Sequence, residues 1–384
     1  VLVVTRNLPP LRGGMERLNL HMLQELSSAF EVQVCCPQDS VPGLPQGIAA
    51  TGVPLRPLSR FVVSSAFAAV AAARRFRPQL VLAGSGLTAP MVRIAARACG
   101  ARSAAYLHGL DIVADHRAYR GLWRPWFRGL DAVLVNSRHT AGLAAQAGVA
   151  PRRISIVHPG VELPPWETQR GDEFLREFAL EGRPILLSVG RLTARKGLVE
   201  FIQRAMPALV AAEPRLALAV IGAEASDSIK SDGQSQLGRI QSAVQQLGLE
   251  DQVRLLGPRD DLTVRGALFA ARALVFPLIE LPGDTEGFGM VAVEAAAHGV
   301  PTVAFAVGGA TDSVADPVSG SLIAAADYPA MIGRLRAILA APAEPEEARL
   351  RRRAFAAGFE WPRFGERVRS VCEALLDGDR GRGS

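Results

Sequence analysis

Short apolar runs alternate with amphipathic stretches along most of this chain, and no other feature limits its fold as much. Residues 1–5, 32–36, 80–83, 103–107, 132–135 and 154–157 read as strands, apolar enough to be covered on both faces. Between them, 15–26, 61–76 and 90–99 carry helical periodicity. After a stretch at 162–170 that contains Pro164 and Pro165 and reads as a linker, the alternation resumes. Strands are expected at 184–189, 216–221, 253–256, 273–276 and 301–305, and helices at 198–211, 235–247 and 262–271. This order specifies α/β architecture: two doubly wound parallel-sheet domains facing a cleft at the carboxyl ends of their strands. The expected domains are 1–164 and 165–360. A last helix at 364–376 follows both completed sheets, so residues 361–384 are expected to return to the first domain, ending in a frayed stretch at 378–384.

A length of 384 residues suits two cores rather than one. The longest apolar run, 66–73, is far short of the roughly 20 residues of a membrane span. The opening residues lack a basic leader pattern, and Cys35, Cys36, Cys99 and Cys372 have no metal-ligand or redox spacing, so the reading is of reduced cysteines in a cytoplasmic chain. The net charge of +6 conceals an asymmetry. Residues 1–170 hold 19 arginines against 9 carboxylates, a net of +10, whereas the remainder, with 24 basic and 28 acidic residues, nets −4. A basic half fits an anionic partner such as a lipid headgroup surface or a diphosphate-linked acceptor. Nucleic acid is not expected, because no recognition-helix, zinc-finger or aromatic RNA-binding signature is present.

Residues 285–299 carry the densest chemistry. Met290 to Ala297 reads as a buried helix, apolar on every face except at Glu294, entered through Gly287 and Gly289 and left through Gly299. An unpaired buried carboxylate costs several kcal/mol, so Glu294 must find a polar partner or line a wet pocket. Glu286 stands just before the helix, whose first N–H groups, at Gly287, Phe288 and Gly289, form an anion site. Two carboxylates beside an anion hole suit a polyhydroxylated, phosphorylated ligand; the plainer alternative is dipole complementation by Glu286 and an ion pair at Glu294.

A second phosphate candidate follows the strand at 184–189. There Gly190 permits close backbone approach, and Arg191 and Lys196 aim two positive charges from a strand end and a helix start. It is not a P-loop, because the order G-x-x-x-x-G-K is missing. Nor is the loop at Gly13 and Gly14 a dinucleotide fingerprint, because no G-x-G-x-x-G follows the first strand.

Together these residues resemble the retaining glycosyltransferases of family four, which have the GT-B fold of two Rossmann-like domains. The resemblance rests on Gly13-Gly14, Gly190-Arg191 with Lys196-Gly197, Glu286-Gly287-Phe288-Gly289 with Glu294, and Gly299-Val300-Pro301, in the family's order. Asn136-Ser137, the 157–161 stretch, Gly308-Gly309 and Ser319-Gly320 extend it. It implies a metal-independent enzyme without cofactor, moving a sugar from a UDP- or GDP-linked donor to a glycan or lipid-linked acceptor. Cell-surface polysaccharide, lipopolysaccharide or glycolipid synthesis would be its setting, in the cytoplasm or peripherally on the inner membrane face.

The resemblance also implies roles. Arg191 and Lys196 would hold the diphosphate, Glu286 the sugar hydroxyls and Glu294 the ribose. Gly13 and Gly14 would close over the phosphates. The backbone at Gly257 to Arg259 would touch the base, Met290 and Val291 would complete the donor site, and His108 would face sugar and acceptor. One departure is Leu278 where the family has serine after proline, followed by an acidic loop whose Asp284 is either a second hydroxyl ligand or a turn residue. A nucleotide-sugar binder without transfer, a GT-B epimerase and a phosphorylase are the competing readings; no lysine after Lys230 supports the last. The remaining histidines, His21, His116, His139, His158 and His298, and Asp111 read as structural. The aromatics among the arginines of 117–128 read as core rather than as a membrane-surface helix, and the alanine face of 61–77 reads as sheet packing.

Overall fold

The computed structural model describes residues 1–114, 117–224, 235–342 and 344–380, so His116 and the end of the expected frayed tail lie outside it. Contacts divide the chain into two units. The first holds Val1–Gly160, Pro282–Phe288 and Trp361–Ser384; the second holds Val161–Leu281 and Gly289–Glu360.

The first unit is built on seven parallel strands: β1 (Leu2–Val4), β2 (Gln33–Pro37), β3 (Ala49–Val53), β4 (Leu80–Ala83), β5 (Arg102–Leu107), β6 (Ala132–Val135) and β7 (Ile154–Ile156), in the order β3-β2-β1-β4-β5-β6-β7. Leu2 pairs with both Gln33 and Val81, so the strand order reverses at β1, where α/β sheets open a crevice at their carboxyl ends. Helix α1 (Gly14–Ser27) leaves the β1 loop, α2 (Leu58–Phe76) joins β3 to β4, and α3 (Ala89–Cys99) joins β4 to β5. Leu2, Val4, Val81, Ala105, Leu107 and Val133 share one core with Ala69, Ala73 and Ala95 of α2 and α3. Small side chains let these helices lie close on the sheet, as the alanine face suggests.

The last helix, Trp361–Arg380, does return to this unit. Phe364 is buried 6.2 Å from the Tyr106 ring, Trp361 stacks on His21 at 3.8 Å, and Arg369 donates to a Glu25 carboxylate oxygen on α1 at 2.6 Å. The 117–128 region forms two short helices, Arg117–Leu122 and Arg124–Phe127, the second with Pro125 in its first turn, where its missing N–H does no harm. Its aromatics pack inward as expected: Phe127 is buried, and the Trp123 indole N–H donates to the Leu87 carbonyl.

The second unit has six parallel strands: β8 (Ile185–Val189), β9 (Ala217–Ile221), β10 (Val253–Gly257), β11 (Ala273–Phe276), β12 (Thr302–Phe305) and β13 (Gly320–Ile323), in the order β10-β9-β8-β11-β12-β13. Two expectations are corrected. The helix expected at 198–211 is divided into Leu198–Arg204 and Met206–Ala212, because Pro207 cannot donate to the preceding turn. The expected linker at 162–170 already contains the start of the helix Gln169–Glu177, whose Phe174 is buried beneath Ala267 and Leu268.

His298, at the end of the helix Met290–Ala297, donates from Nδ1 to the Glu294 carbonyl at 2.7 Å and lies against Phe269. Burial pushes its pKa down to about 4, with the Arg265 and Arg353 charges adding to it and the Glu294 backbone bond and the Glu162 charge opposing it. The neutral ring is therefore favoured in the fold. Its contribution to stability is complete above the unfolded pKa of about 6.5 and disappears as pH falls from there towards 4, to a limit on the order of 3 kcal/mol. Urea unfolding of the wild type should thus weaken over that window more than unfolding of His298→Gln, whose amide keeps a donor but does not titrate. Parallel pH profiles would contradict this.

Candidate active site

The loops that carry Gly13, His108, Gly190 and Glu286, and the one after Gly257, follow the carboxyl ends of strands. In the first unit, β1 runs into the loop that ends at Gly13. The helix α1 begins there with the Glu16 carboxylate in its first turn, buried and accepting from Asn7 Nδ2 at 2.8 Å. A Cβ on Gly13 would approach Glu16 Oε2 to 2.5 Å, so a larger residue there would push the Glu16 carboxylate from its place beside Asn7.

His108 follows β5 and is buried. Its Nε2 lies 2.9 Å from the Gly84 carbonyl, which can only accept, so Nε2 carries the proton and Nδ1 is left as an acceptor. The Asp111 carboxylate fixes the turn that follows, accepting from the His108 N–H at 2.9 Å and from the Gly86 N–H at 2.7 Å. That makes Asp111 structural, as read from the sequence.

The Glu286 segment is held against this turn. A Cβ on Gly287 would fall 2.0 Å from the His108 carbonyl oxygen and 2.5 Å from Asn136 Nδ2, and one on Gly109, at φ +99°, would meet Thr285 and the Gly287 Cα at 3.2 and 3.3 Å. Two glycine backbones are therefore pressed together where no side chain fits. His139 Nε2 lies 2.9 Å from the Thr285 hydroxyl, and the His108 carbonyl accepts from Asn136 Nδ2 at 3.1 Å. Both Asn136 and His139 come from the end of β6 and the helix Arg138–Gln146, which Ser137 caps by accepting from the Thr140 N–H. The sequence reading placed His139 among plain structural histidines; its bond to the neighbour of Glu286 gives it a place in the site. The signal available was Asn136-Ser137, a strand end running into a helix cap.

In the second unit, Gly190, Arg191 and Lys196 line one recess with Thr193, Phe276 and Pro277. The backbone here is crowded. Gly190 has φ +137°, and a Cβ on Gly222 would strike its carbonyl oxygen at 1.8 Å. Gly197, at φ +63°, closes the turn Ala194–Lys196 where a Cβ would fall 1.9 Å from the Pro277 carbonyl oxygen. Lys196 runs along Gly190, its Cε 3.8 Å from a Cβ there, and its ammonium lies 4.6 Å from the centre of the Phe276 ring. Arg191 is exposed, and the recess has a volume of about 10 Å³, room for one water, so a diphosphate would lie over its mouth rather than in it.

Gly257 ends β10 at φ +70°, with its carbonyl accepting from the Gly222 N–H at 3.0 Å; Arg259 beyond it is exposed and lies over the Phe178 ring at 5.2 Å. Gly289 begins the helix Met290–Ala297 at φ +88°, where a Cβ would meet the Phe276 ring at 2.7 Å. Ala292, Val293 and Ala295 to Ala297 are buried, whereas Met290, Val291 and Glu294 are only half-buried. The helix is thus not enclosed on all sides as its composition implied: the face bearing Glu294 is only half-buried. Glu286, Phe288 and His108 belong to the first unit; Arg191, Lys196 and Glu294 belong to the second. Among the described residues no cluster of His, Cys, Asp and Glu is arranged to hold a metal ion.

This pair of doubly wound units, with its glycine-pinned loops at strand ends, matches two family models. Residues 12–163 match Glycosyltransferase Family 4, and residues 171–356 match Glycosyl transferases group 1. The chain belongs to this family of glycosyltransferases. It is 33% identical over 258 residues to D-inositol 3-phosphate glycosyltransferase 1 of Catenulispora acidiphila, a match covering 66% of this chain and 59% of that protein. With the D-inositol 3-phosphate glycosyltransferase of Mycobacterium marinum it shares 33% over 238 residues, 60% of this chain and 47% of that one. The chain therefore spans about half the length of the curated relatives it matches. Its fold is that of HepE from Anabaena in complex with UDP-glucose, with TM-score 0.78 and 18% identity over 97% of this chain and 99% of that one. Sucrose-phosphate synthase from Thermosynechococcus elongatus is alike too, with TM-score 0.78 and 20% identity over 98% and 99%.

Proposed function

We propose that this protein is a retaining, metal-independent glycosyltransferase that moves a sugar from a nucleotide-diphosphate sugar to a glycan or lipid-linked acceptor. The observation that carries this reading is the Gly190, Arg191 and Lys196 recess, where two cations stand at a strand end on a backbone that three glycines lock. Breaking a glycosidic bond to a diphosphate places new negative charge on the phosphate oxygens. Cations already fixed in place stabilise that charge without reorganising as it forms. Arg191 and Lys196 take this part, and the N–H groups at the start of the helix Met290–Ala297 add to it. The same cations answer the need that a divalent ion would otherwise meet.

Glu286 holds hydroxyls of the transferred sugar, and Glu294, on the half-open face with Met290 and Val291, holds the ribose. The Gly257 to Arg259 backbone meets the base, and Gly13 and Gly14 cover the phosphates. His108, with Nδ1 as acceptor, faces sugar and acceptor. The acceptor hydroxyl attacks the anomeric carbon from the side the diphosphate leaves, the leaving phosphate oxygen takes the hydroxyl proton, and the anomeric configuration is kept. Each bond made or broken is then accounted for without an enzyme nucleophile.

The UDP-glucose in the HepE complex, whose fold this chain shares, supports the choice of a nucleotide-sugar donor. A lipid-linked acceptor in polysaccharide, lipopolysaccharide or glycolipid synthesis suits the net +10 of residues 1–170, which draws this half towards an anionic cytoplasmic leaflet. No helix among the described residues is long and apolar enough to cross a membrane; the attachment proposed is peripheral. Calorimetry and product release with a panel of UDP- and GDP-sugars test the reading. One donor should bind and be hydrolysed slowly, with the hydrolysis lost in Glu286→Gln. Binding without hydrolysis or transfer would mark a regulatory binder, donor epimerisation without acceptor an epimerase, and no binding at all would end the proposal.

A further inference from the structure

In α2 the alanine side packs on the sheet and the other side is left with large apolar groups in water. Phe67 is 76% exposed and Val63 56% exposed, one helical turn apart, and Leu58 at the start of the helix is half-exposed. Helix α3 packs along α2 and adds Ile94, 42% exposed. An exposed leucine is ordinary, but a phenylalanine three-quarters in water beside further apolar groups on one helix is a surface awaiting a partner.

The charge on these helices identifies the partner. Neither α2 nor α3 contains an aspartate or glutamate, whereas α2 carries Arg60, Arg74 and Arg75 with Arg77 just beyond, and α3 carries Arg93 and Arg97. Arg60 and Arg74 flank Val63 and Phe67 at helical spacing, and both are exposed. At Arg93 the crowding of like charge is evident: partial burial first, then Arg97, disfavour its guanidinium, with Arg153 adding to them and Asp131 as the opposing carboxylate. A second copy of the chain is a poor fit, because a two-fold contact through this face would set arginine against arginine. A bilayer with anionic headgroups meets both needs, taking the apolar side chains at the acyl boundary and the guanidinium groups at the phosphates.

We infer that the outward face of α2, with Val63 and Phe67 as apolar anchors and Arg60, Arg74 and Arg75 as the cationic rim, docks the first unit on an anionic lipid bilayer. The inference rests on the lipid-facing part of the proposed function and names the surface that performs it. The competing site within the same unit is the 117–128 region, where Leu122 is exposed but Phe127 is buried and Trp123 packs against the core.

The full chain is sedimented at low salt with vesicles of phosphatidylcholine, alone or with about one-third phosphatidylglycerol. Binding should require the anionic lipid and fall as salt rises. It should weaken about tenfold or more in Val63→Ser/Phe67→Ser, by loss of buried apolar surface, and similarly in Arg74→Gln/Arg75→Gln. Arg124→Gln/Arg128→Gln should bind as the wild type does. Donor hydrolysis without vesicles should be the same in all, which separates the surface from the transfer chemistry and shows that the variants fold. Binding that ignores the α2 changes and is lost in Arg124→Gln/Arg128→Gln would overturn the assignment of the face while leaving a membrane role. Equal recovery with neutral and anionic vesicles would overturn both. A stable dimer that only the α2 changes dissociate would also overturn the inference, giving the face to a second copy.

Discussion

Lys196→Ala should lower turnover of the nucleotide sugar by about 10²–10³-fold, the loss typical of removing one preorganised donor, or roughly 2–4 kcal/mol of barrier. The size follows from how firmly the ammonium is placed. Its turn is pinned by Gly197 against the Pro277 carbonyl, its stem runs along Gly190, and its head lies 4.6 Å from the centre of the Phe276 ring. A lysine in solvent would lose rotamer freedom on meeting a phosphate; this one has already lost it. Because the charge matters most as the diphosphate departs, the effect should fall on kcat more than on donor affinity. Glu294→Ala should divide the other way. In the proposed site it holds, from the half-buried face of its helix, a ribose that does not change during the reaction, so its removal should weaken binding and largely spare kcat. Calorimetry for affinity and single-turnover kinetics for chemistry separate the two. Equal losses of affinity in both variants, with turnover untouched in both, would contradict the division.

Legibility in the sequence followed burial. The strands Leu80–Ala83, Ala132–Val135 and Ala273–Phe276 were readable to the residue, because a central parallel strand is apolar on both faces. The edge strands Ala49–Val53 and Gly320–Ile323 were not. Their sequences, AATGV and GSLI, set glycine and small or polar residues among the apolar ones, so no apolar run marks them, whereas the other edge strands, Ile154–Ile156 and Val253–Gly257, keep enough isoleucine, valine and leucine to be read. The helix Gln169–Glu177, of which only Gln169 and Arg170 fall in the stretch read as linker, was not legible because it buries only Gly171 and Phe174.

Within the candidate site, glycines and charges at strand ends were visible because a loop that must approach an anion has few residue choices. What was not visible is what each glycine makes room for. The contact between His139 and Thr285 spans 146 positions, and no local pattern encodes it. Likewise Glu294 read as a buried charge because composition gives a helix its average surroundings, whereas the structure leaves the side of Met290, Val291 and Glu294 only half-buried.

Gly287→Ala should remove at least about 99% of turnover while leaving the fold in place. The added Cβ would stand 2.0 Å from the His108 carbonyl oxygen, well inside contact distance, and the obstacle is backbone rather than the tip of a flexible side chain. Repacking cannot relieve it, so the segment itself must move away by an ångström or more. That movement breaks the bond between Thr285 and His139 and carries Glu286 off its position, and a misplacement of about 1 Å in a group that orients substrate costs on the order of 100-fold. The segment is a loop of the first unit, held by polar contacts and by the buried Phe288, whose ring lies 5.4 Å from that of His158, so its displacement should lower the melting temperature modestly without unfolding the protein. Gly142→Ala is the control. It lies in the helix Arg138–Gln146 that bears His139, a Cβ there meets nothing within 4 Å, and alanine in a helix is favoured over glycine by about 1 kcal/mol. Turnover and melting temperature measured for both variants decide the matter: wild-type turnover in Gly287→Ala would show that the close approach of Gly287 to His108 plays no part in placing Glu286.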